Sequence, residues 1–160
     1  MDVIYQKFID SLIETEKHLQ SADHIIFVTI PVVKDPKLML RAFESVYRGL
    51  TLNISTILKF EYLYKRITLS NDTKINLETF FARCSKNYGL NEGECKLLKE
   101  IIFLGKKHKE SGLEFSRSGK VIMVDDELGV FEIGIIKLKE FFSISKKLLQ
   151  STNKNFMDKI

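Results

Sequence analysis

Residues 34–66, KDPKLMLRAFESVYRGLTLNISTILKFEYLYKR, carry the strongest helical pattern in the sequence and decide its fold class. Apolar side chains recur there every three or four residues, which places them on one face of an α-helix. These positions are Leu40, Phe43, Tyr47, Leu50, Ile54, Ile57 and Tyr64, and Glu61 interrupts the series. Asp35 suits the N-cap and Pro36 the first helical position. A helix continuous to about Thr68 has about 33 residues and spans about 50 Å.

A helix of this length is long for a chain of 160 residues. It predicts either the central helix of a bundle or an arm that projects into a second subunit. We therefore expect a homodimer formed through the long helix. Gly49 lies in its middle, where glycine costs roughly 1 kcal/mol relative to alanine, and this marks a bend or a close approach of another helix.

Polar residues also occur within the long helix. Arg41, Glu44 and Arg48 are spaced three and four apart, so that they share one face and can form ion pairs along it. One interpretation is an exposed charged row opposite the apolar stripe. The other is a polar patch that lines a groove or sets the register of a dimer interface.

Helices are predicted on both sides of the long helix. They cover residues 3 to about 28, 77–90, 91 to about 108, and about 135–150. Pro31 is expected to stop the first of them, because proline has no N–H to donate inside a helix. The polar segment 151–160, STNKNFMDKI, is predicted to be a disordered tail.

Between residues 113 and 133 the hydrophobic period changes from helical to alternating. LEFSR, KVIMV and GVFEI are typical of three short strands, and Ser118-Gly119 suits a tight hairpin turn. The sequence therefore predicts a mainly α protein: one domain over residues 1–160, built as a helical bundle around a long central helix. A small antiparallel β-meander at about 113–133 completes it near the C-terminus.

Composition and charge are typical of a soluble globular chain, with 44% hydrophobic and 29% charged residues. The net charge of +4 allows anionic partners, nucleic acid among them, without requiring them. Cys84 and Cys95 do not form a CxxC pair, which indicates reduced thiols. No leader pattern or apolar run of membrane-spanning length is present, so we expect a cytoplasmic protein without a membrane partner.

Motifs for catalysis, cofactors and metals are missing from the sequence. There is no G-x-S-x-G, and the histidines His18, His24 and His108 lie near no cysteine or serine signature. SRSGKV lacks the Ser or Thr that follows the lysine of a P-loop. Glu14 and His18 share a helix face, but a second such pair is missing. We therefore assign no catalytic residue, no metal and no cofactor.

The basic segment 106–120 allows two interpretations. Lysines at the end of a helix interact favourably with its dipole, and polar residues are expected beside a hairpin turn. Alternatively, the segment forms an anion-binding surface of the kind that nucleic-acid phosphates require. Its members are Lys106, Lys107, Lys109, Arg117 and Lys120. Phe115 would add a stacking ring if it is exposed, although the strand alternation also allows it to point inward.

Residues 21–58, SADHIIFVTIPVVKDPKLMLRAFESVYRGLTLNISTIL, resemble a group of uncharacterised archaeal proteins. Two long helices around a short polar break, at roughly residues 3–68, also resemble the HEPN helical-bundle superfamily, which includes ribonucleases and partners of nucleotidyltransferases. The ribonuclease branch carries an arginine followed four to six positions later by histidine. Arg48 is followed at the fifth position by Asn53, so the resemblance implies a non-catalytic bundle.

These patterns favour a non-enzymatic binding or scaffold module that engages protein or nucleic acid through a helical bundle and a basic surface. Two alternatives stay open, a HEPN-related nucleic-acid-processing enzyme and a purely structural oligomer. A cleft that gathers Arg41, Glu44, Arg48 and a histidine would favour the enzyme, whereas an exposed apolar stripe on the long helix would favour an interaction module.

Overall fold

The computed structural model describes residues 3–159 and confirms a mainly α fold with a small antiparallel sheet near the C-terminus. The helices are α1 (Val3–His24), α2 (Lys37–Leu63), α3 (Thr73–Thr79), α4 (Glu92–Glu110) and α5 (Ile135–Met157). The strands are β1 (Leu113–Arg117), β2 (Lys120–Val124) and β3 (Val130–Ile133), in that order across the sheet. The predicted β-meander therefore forms at 113–133, and its buried side chains join those of the helices in one apolar core.

The first helix does not stop at Pro31, so that prediction was wrong. A π-helical turn, Ile25–Thr29, follows α1, and a last α-helical turn, Ile30–Val33, contains the proline. In the π-helical turn the Ile30 N–H bonds the carbonyl of Ile25, five residues back, so the helix has widened before the proline enters it. A wider turn relieves the crowding between a proline ring and the preceding carbonyls.

Helix α2 is the central helix, and it packs against α1, α4, α5 and strand β2. The carboxylate of Asp35 accepts a hydrogen bond from the Lys37 N–H at 3.0 Å, as expected of a residue that caps the helix start. The helix has 27 residues and spans about 40 Å, less than the sequence predicted. It ends early because Lys65 adopts a left-handed φ of 60°, and the Arg66 N–H turns back to the carbonyl of Glu61.

The apolar stripe of α2 is buried within the chain itself, and its large exposed apolar residues are Tyr62 and Leu63, at its end. The interruption at Glu61 is buried as well, with only 5% of the residue exposed. The Tyr88 hydroxyl donates to Glu61 at 2.9 Å, and Arg66 bonds the second carboxylate oxygen. Burial, followed by the charge of Glu61, raises the pKa of the Tyr88 hydroxyl.

The C-terminal segment is helical rather than disordered, so the prediction for 151–160 was wrong over the part that α5 covers. Helix α5 continues to Met157, and Thr152 and Phe156 are buried. The Phe156 ring stacks on Phe60 with centroids 3.8 Å apart. The polar composition of the segment led to the wrong prediction. The Thr152 hydroxyl bonds the Leu148 carbonyl at 2.8 Å, and this hydrogen bond allows the side chain to be buried. Ile160 lies outside the described residues.

Two glycines mark close helix contacts. A Cβ at Gly49 would lie 3.1 Å from Leu19 of α1, which identifies a close approach rather than a bend at this position. At Gly105 of α4, a Cβ would lie 2.1 Å from the ring of Tyr47 in α2. Real carbon atoms do not approach so closely, so the α2–α4 contact depends on the missing side chain at Gly105.

We expect Gly105→Ala to lower the free energy of unfolding by about 1–3 kcal/mol, because the added methyl group must displace Tyr47 or separate α4 from α2. The matched control is Gly93→Ala in the exposed first turn of the same helix, where the nearest atom is 3.4 Å away. That substitution should raise stability by up to about 1 kcal/mol. Urea denaturation measures both, and equal effects of the two variants would contradict the contact.

Candidate nucleic-acid interface

The sheet turns one side to the bundle and leaves the other open. Val121, Met123 and Ile133 alternate onto the inner side and are buried in the core. The opposite side, called here the outer face, consists of Leu113, Phe115, Arg117, Lys120, Ile122, Val124, Val130 and Glu132. Three of its apolar residues, Leu113, Phe115 and Val130, are exposed, with 42% for Phe115 and 65% for Val130.

Ile122 occupies the centre of the outer face. It is paired across the strands with Phe115 on one side and Glu132 on the other. Although only 8% of it is exposed, it does not belong to the apolar core. Its neighbours on the same face therefore cover it, and together they form a small apolar platform on which the Phe115 ring lies open to solvent.

The hairpin turn determines where the charges of the outer face lie. Ser118 and Gly119 have φ values of 53° and 77°, which is the tight turn that their dipeptide predicts. This turn pairs Arg117 directly with Lys120, so both cations lie at one end of the face that carries Phe115. The Lys120 Nζ also lies 3.1 Å from a carboxylate oxygen of Glu132, and both side chains are about half exposed. An ion pair with that exposure contributes little stability.

Lys107 is engaged inside the fold rather than presented to a ligand. Its Nζ lies 3.1 Å from Asp125 in the β2–β3 turn and 5.5 Å from the ring centroids of Phe103 and Phe131. The hydrogen bond to Asp125 raises the pKa of Lys107. The pKa of Asp125 is lowered first by the Gly129 N–H and then by Lys107. This ion pair attaches α4 to the sheet.

Lys106 and Lys109 lie toward α2 instead. The Lys109 Nζ is 5.1 Å from the centroid of the Tyr47 ring, and Lys106 lines a cavity together with the same tyrosine. The five residues of the predicted anion-binding surface thus take part in three separate sets of contacts. The structure brings Arg117 and Lys120 together with Phe115, and it groups Lys106 and Lys109 around Tyr47.

A histidine joins three elements at the edge of this region. The His108 Nε2 lies 2.6 Å from Glu44 of α2, and its Nδ1 lies 3.0 Å from Glu114 of β1. Each ring nitrogen thus lies within hydrogen-bond distance of a carboxylate from a different element. The sequence spacing allowed Glu44 to pair with Arg41 or Arg48 along the helix. In the structure Glu44 contacts His108 instead.

The polar patch of α2 is divided by this contact. Arg41 and Arg48 are both exposed, on either side of Glu44 along the helix. The sequence offered no signal for the bond between Glu44 and His108, because the two residues are 64 positions apart. Such a partnership depends on how α4 packs against α2.

The histidine bridge occupies both ring nitrogens of His108 with carboxylates, so in this geometry neither nitrogen is open to a substrate. Cys84 is also a poor nucleophile, because burial, followed by the charge of Glu61, raises the pKa of its thiol to about 11. Among the residues that the structure describes, no group of three or more His, Cys, Asp and Glu side chains is arranged to hold a metal ion.

Comparisons of the chain with protein-family models, with curated proteins and with solved structures each found no match. The resemblance to uncharacterised archaeal proteins and to the HEPN superfamily therefore stays a prediction. Over residues 3–159, no helix has both the length and the apolar character that crossing a bilayer requires.

We expect His108→Ala to lower the free energy of unfolding by about 1–2 kcal/mol, because the contacts of the ring with two carboxylates are lost and Glu44 and Glu114 are left without this partner. His24→Ala, which removes an exposed histidine, is the control and should change stability by less than about 0.5 kcal/mol. Urea denaturation compares the two variants, and a similar effect of both would show that the bridge contributes nothing.

The two thiols should differ in reactivity. We expect iodoacetamide at pH 8 to modify Cys95, which is partly exposed, and to spare Cys84, which is buried and has a raised pKa. Peptide mass spectrometry over a time course measures both rates. The order should disappear in urea, where both thiols are exposed, and faster labelling of Cys84 in the native protein would contradict the burial.

Proposed function

We propose that the protein is a non-enzymatic binding module that takes single-stranded nucleic acid on the outer face of its sheet. One observation carries this proposal: Phe115 is exposed on the same face of the sheet as Arg117 and Lys120. An open aromatic ring beside two cations is the combination that binds an unpaired base together with its phosphate.

The Phe115 ring supplies the stacking surface. Ile122 is paired with it across the neighbouring strand and is buried, whereas 42% of Phe115 is exposed, so the ring remains open to solvent. Stacking of one base on such a ring contributes about 1–3 kcal/mol. A base inside a duplex is already stacked on its neighbours, which is why the proposal specifies a single strand.

Arg117 and Lys120 supply the phosphate contacts. Lys120 gives up little when it leaves Glu132, because their ion pair is half exposed to water. Glu132 in turn places a negative charge on the binding face, and it is expected to limit the affinity. The net charge of +4 favours approach of a polyanion over the whole surface.

We also propose a homodimer, a HEPN-related enzyme and a cytoplasmic location as less favoured alternatives for this chain. A homodimer through α2 has little exposed apolar surface to use, since Tyr62 and Leu63 are its large exposed apolar side chains. A HEPN-related enzyme would need a histidine at its site, and His108, the histidine that contacts the polar patch of α2, is bound on both sides by carboxylates. A cytoplasmic location is likewise an expectation from the reduced cysteines.

The test is fluorescence anisotropy with labelled single-stranded RNA, single-stranded DNA and a duplex over a salt series. We expect the single strands to bind more tightly than the duplex. The logarithm of the association constant should fall with the logarithm of salt concentration, and each cation in contact should contribute about 0.7 to the slope. Arg117→Gln should remove about that amount.

Phe115→Ala should weaken binding by about 1–3 kcal/mol without changing the salt slope. Glu132→Gln should strengthen binding, because it removes the negative charge and releases Lys120. The matched controls are Tyr62→Ala, which removes an exposed aromatic ring elsewhere, and Lys146→Gln, which removes an exposed cation on α5. Absence of binding at low salt, or equal losses in the controls, would overturn the proposal.

A further inference from the structure

A cavity of about 320 Å³ lies between α2, α3 and α4, on a different part of the molecule from the outer face of the sheet. Its floor is apolar and includes Ile54 and Leu58 of α2 and Ile102 of α4, all of which are buried. A cavity of this volume is at the lower end of the range that small organic ligands occupy.

The polar residues that line the cavity carry hydroxyl groups, two amines and the side-chain amide of Asn76. Thr51 and Ser55 of α2 contribute hydroxyl groups to its wall, and Lys74 and Lys106 contribute amines from α3 and α4. The wall contains no Asp or Glu. Within the described part of the chain, neither lysine lies within ion-pair distance of a carboxylate. Over residues 3–159, two lysines without a carboxylate partner therefore line one largely apolar cavity.

The aromatic wall of the cavity is held in place. Tyr47 packs directly on the backbone of Gly105, where even a methyl group would not fit, so the α4 backbone blocks movement of its ring on that side. On α2 the ring also lies beside Phe43, with centroids 6.4 Å apart. A wall fixed in this way preserves the cavity when no ligand is bound, and this lowers the cost of binding.

From this arrangement we propose that the cavity binds a small organic anion with an apolar body, such as an aromatic or aliphatic acid. The body lies on the apolar floor against Tyr47, and the acidic group is bound by Lys74 and Lys106. Hydrogen bonds to an ionised group are stronger than those to a neutral one, so the two lysines select for charge. Ser55 lines the same cavity.

The experiment uses a matched pair of fluorescent probes with the full chain. 1-Anilinonaphthalene-8-sulfonate carries a sulfonate, whereas N-phenyl-1-naphthylamine has the same apolar body without a charge. We expect the sulfonate to bind at least tenfold more tightly than the neutral probe. Lys74→Met and Lys106→Met should each weaken binding of the sulfonate by about tenfold and leave binding of the neutral probe unchanged. Lys146→Met, on a different face, is the control.

Ser55→Phe should abolish binding of both probes, because the new ring fills the cavity. The position of the probe is checked by NMR, where the methyl signals of Ile54 and Ile102 should shift on titration. Equal affinity for the two probes, or a sulfonate affinity that survives both lysine substitutions, would overturn the proposal. Phe115→Ala and Arg117→Gln should leave probe binding unchanged, so this site and the nucleic-acid interface can fail independently.

Discussion

The burial of α2 is the constraint on which the rest of the structure depends. A helix with a broad apolar face must be covered along the whole of that face, and α1, α4, α5 and strand β2 provide that cover. Glu61 is buried together with the apolar face of the helix, and Tyr88 and Arg66 bond its carboxylate there. The Gly105 and Gly49 contacts show how closely the neighbouring helices approach α2.

The same constraint explains why the sheet has an open side. The bundle needs apolar cover from only one face of the meander, and Val121, Met123 and Ile133 supply it. Two polar contacts then attach the sheet, the His108 bridge to Glu114 and the ion pair of Lys107 with Asp125. The side chains on the other face, Phe115 among them, are left to solvent. The proposed interface is therefore held on a rigid support, which favours binding without a large ordering cost.

The basic segment 106–120 shows that lysines adjacent in sequence can point to different parts of the structure when they lie on a helix. Successive residues of α4 point about 100° apart around its axis. Lys107 consequently faces the sheet, whereas Lys106 faces the cavity beside α3. The cations of the basic segment thus contribute to the contact between α4 and the sheet and to the two proposed sites. Charge counted along the chain indicated that anions could bind, but the contacts decide which lysines are available.

Local patterns were enough to predict α2, the three strands and the Ser118-Gly119 turn, because helical period, strand alternation and turn chemistry act over a few neighbouring residues. Strand alternation left open which way Phe115 points, and the strand register of the structure places it on one face with Arg117 and Lys120. Only the tertiary structure decided that this side is uncovered, that His108 meets Glu44, and that residues 151–157 are helical. Each of those outcomes depends on contacts between residues far apart in the chain, and such contacts leave no periodic signal in the sequence.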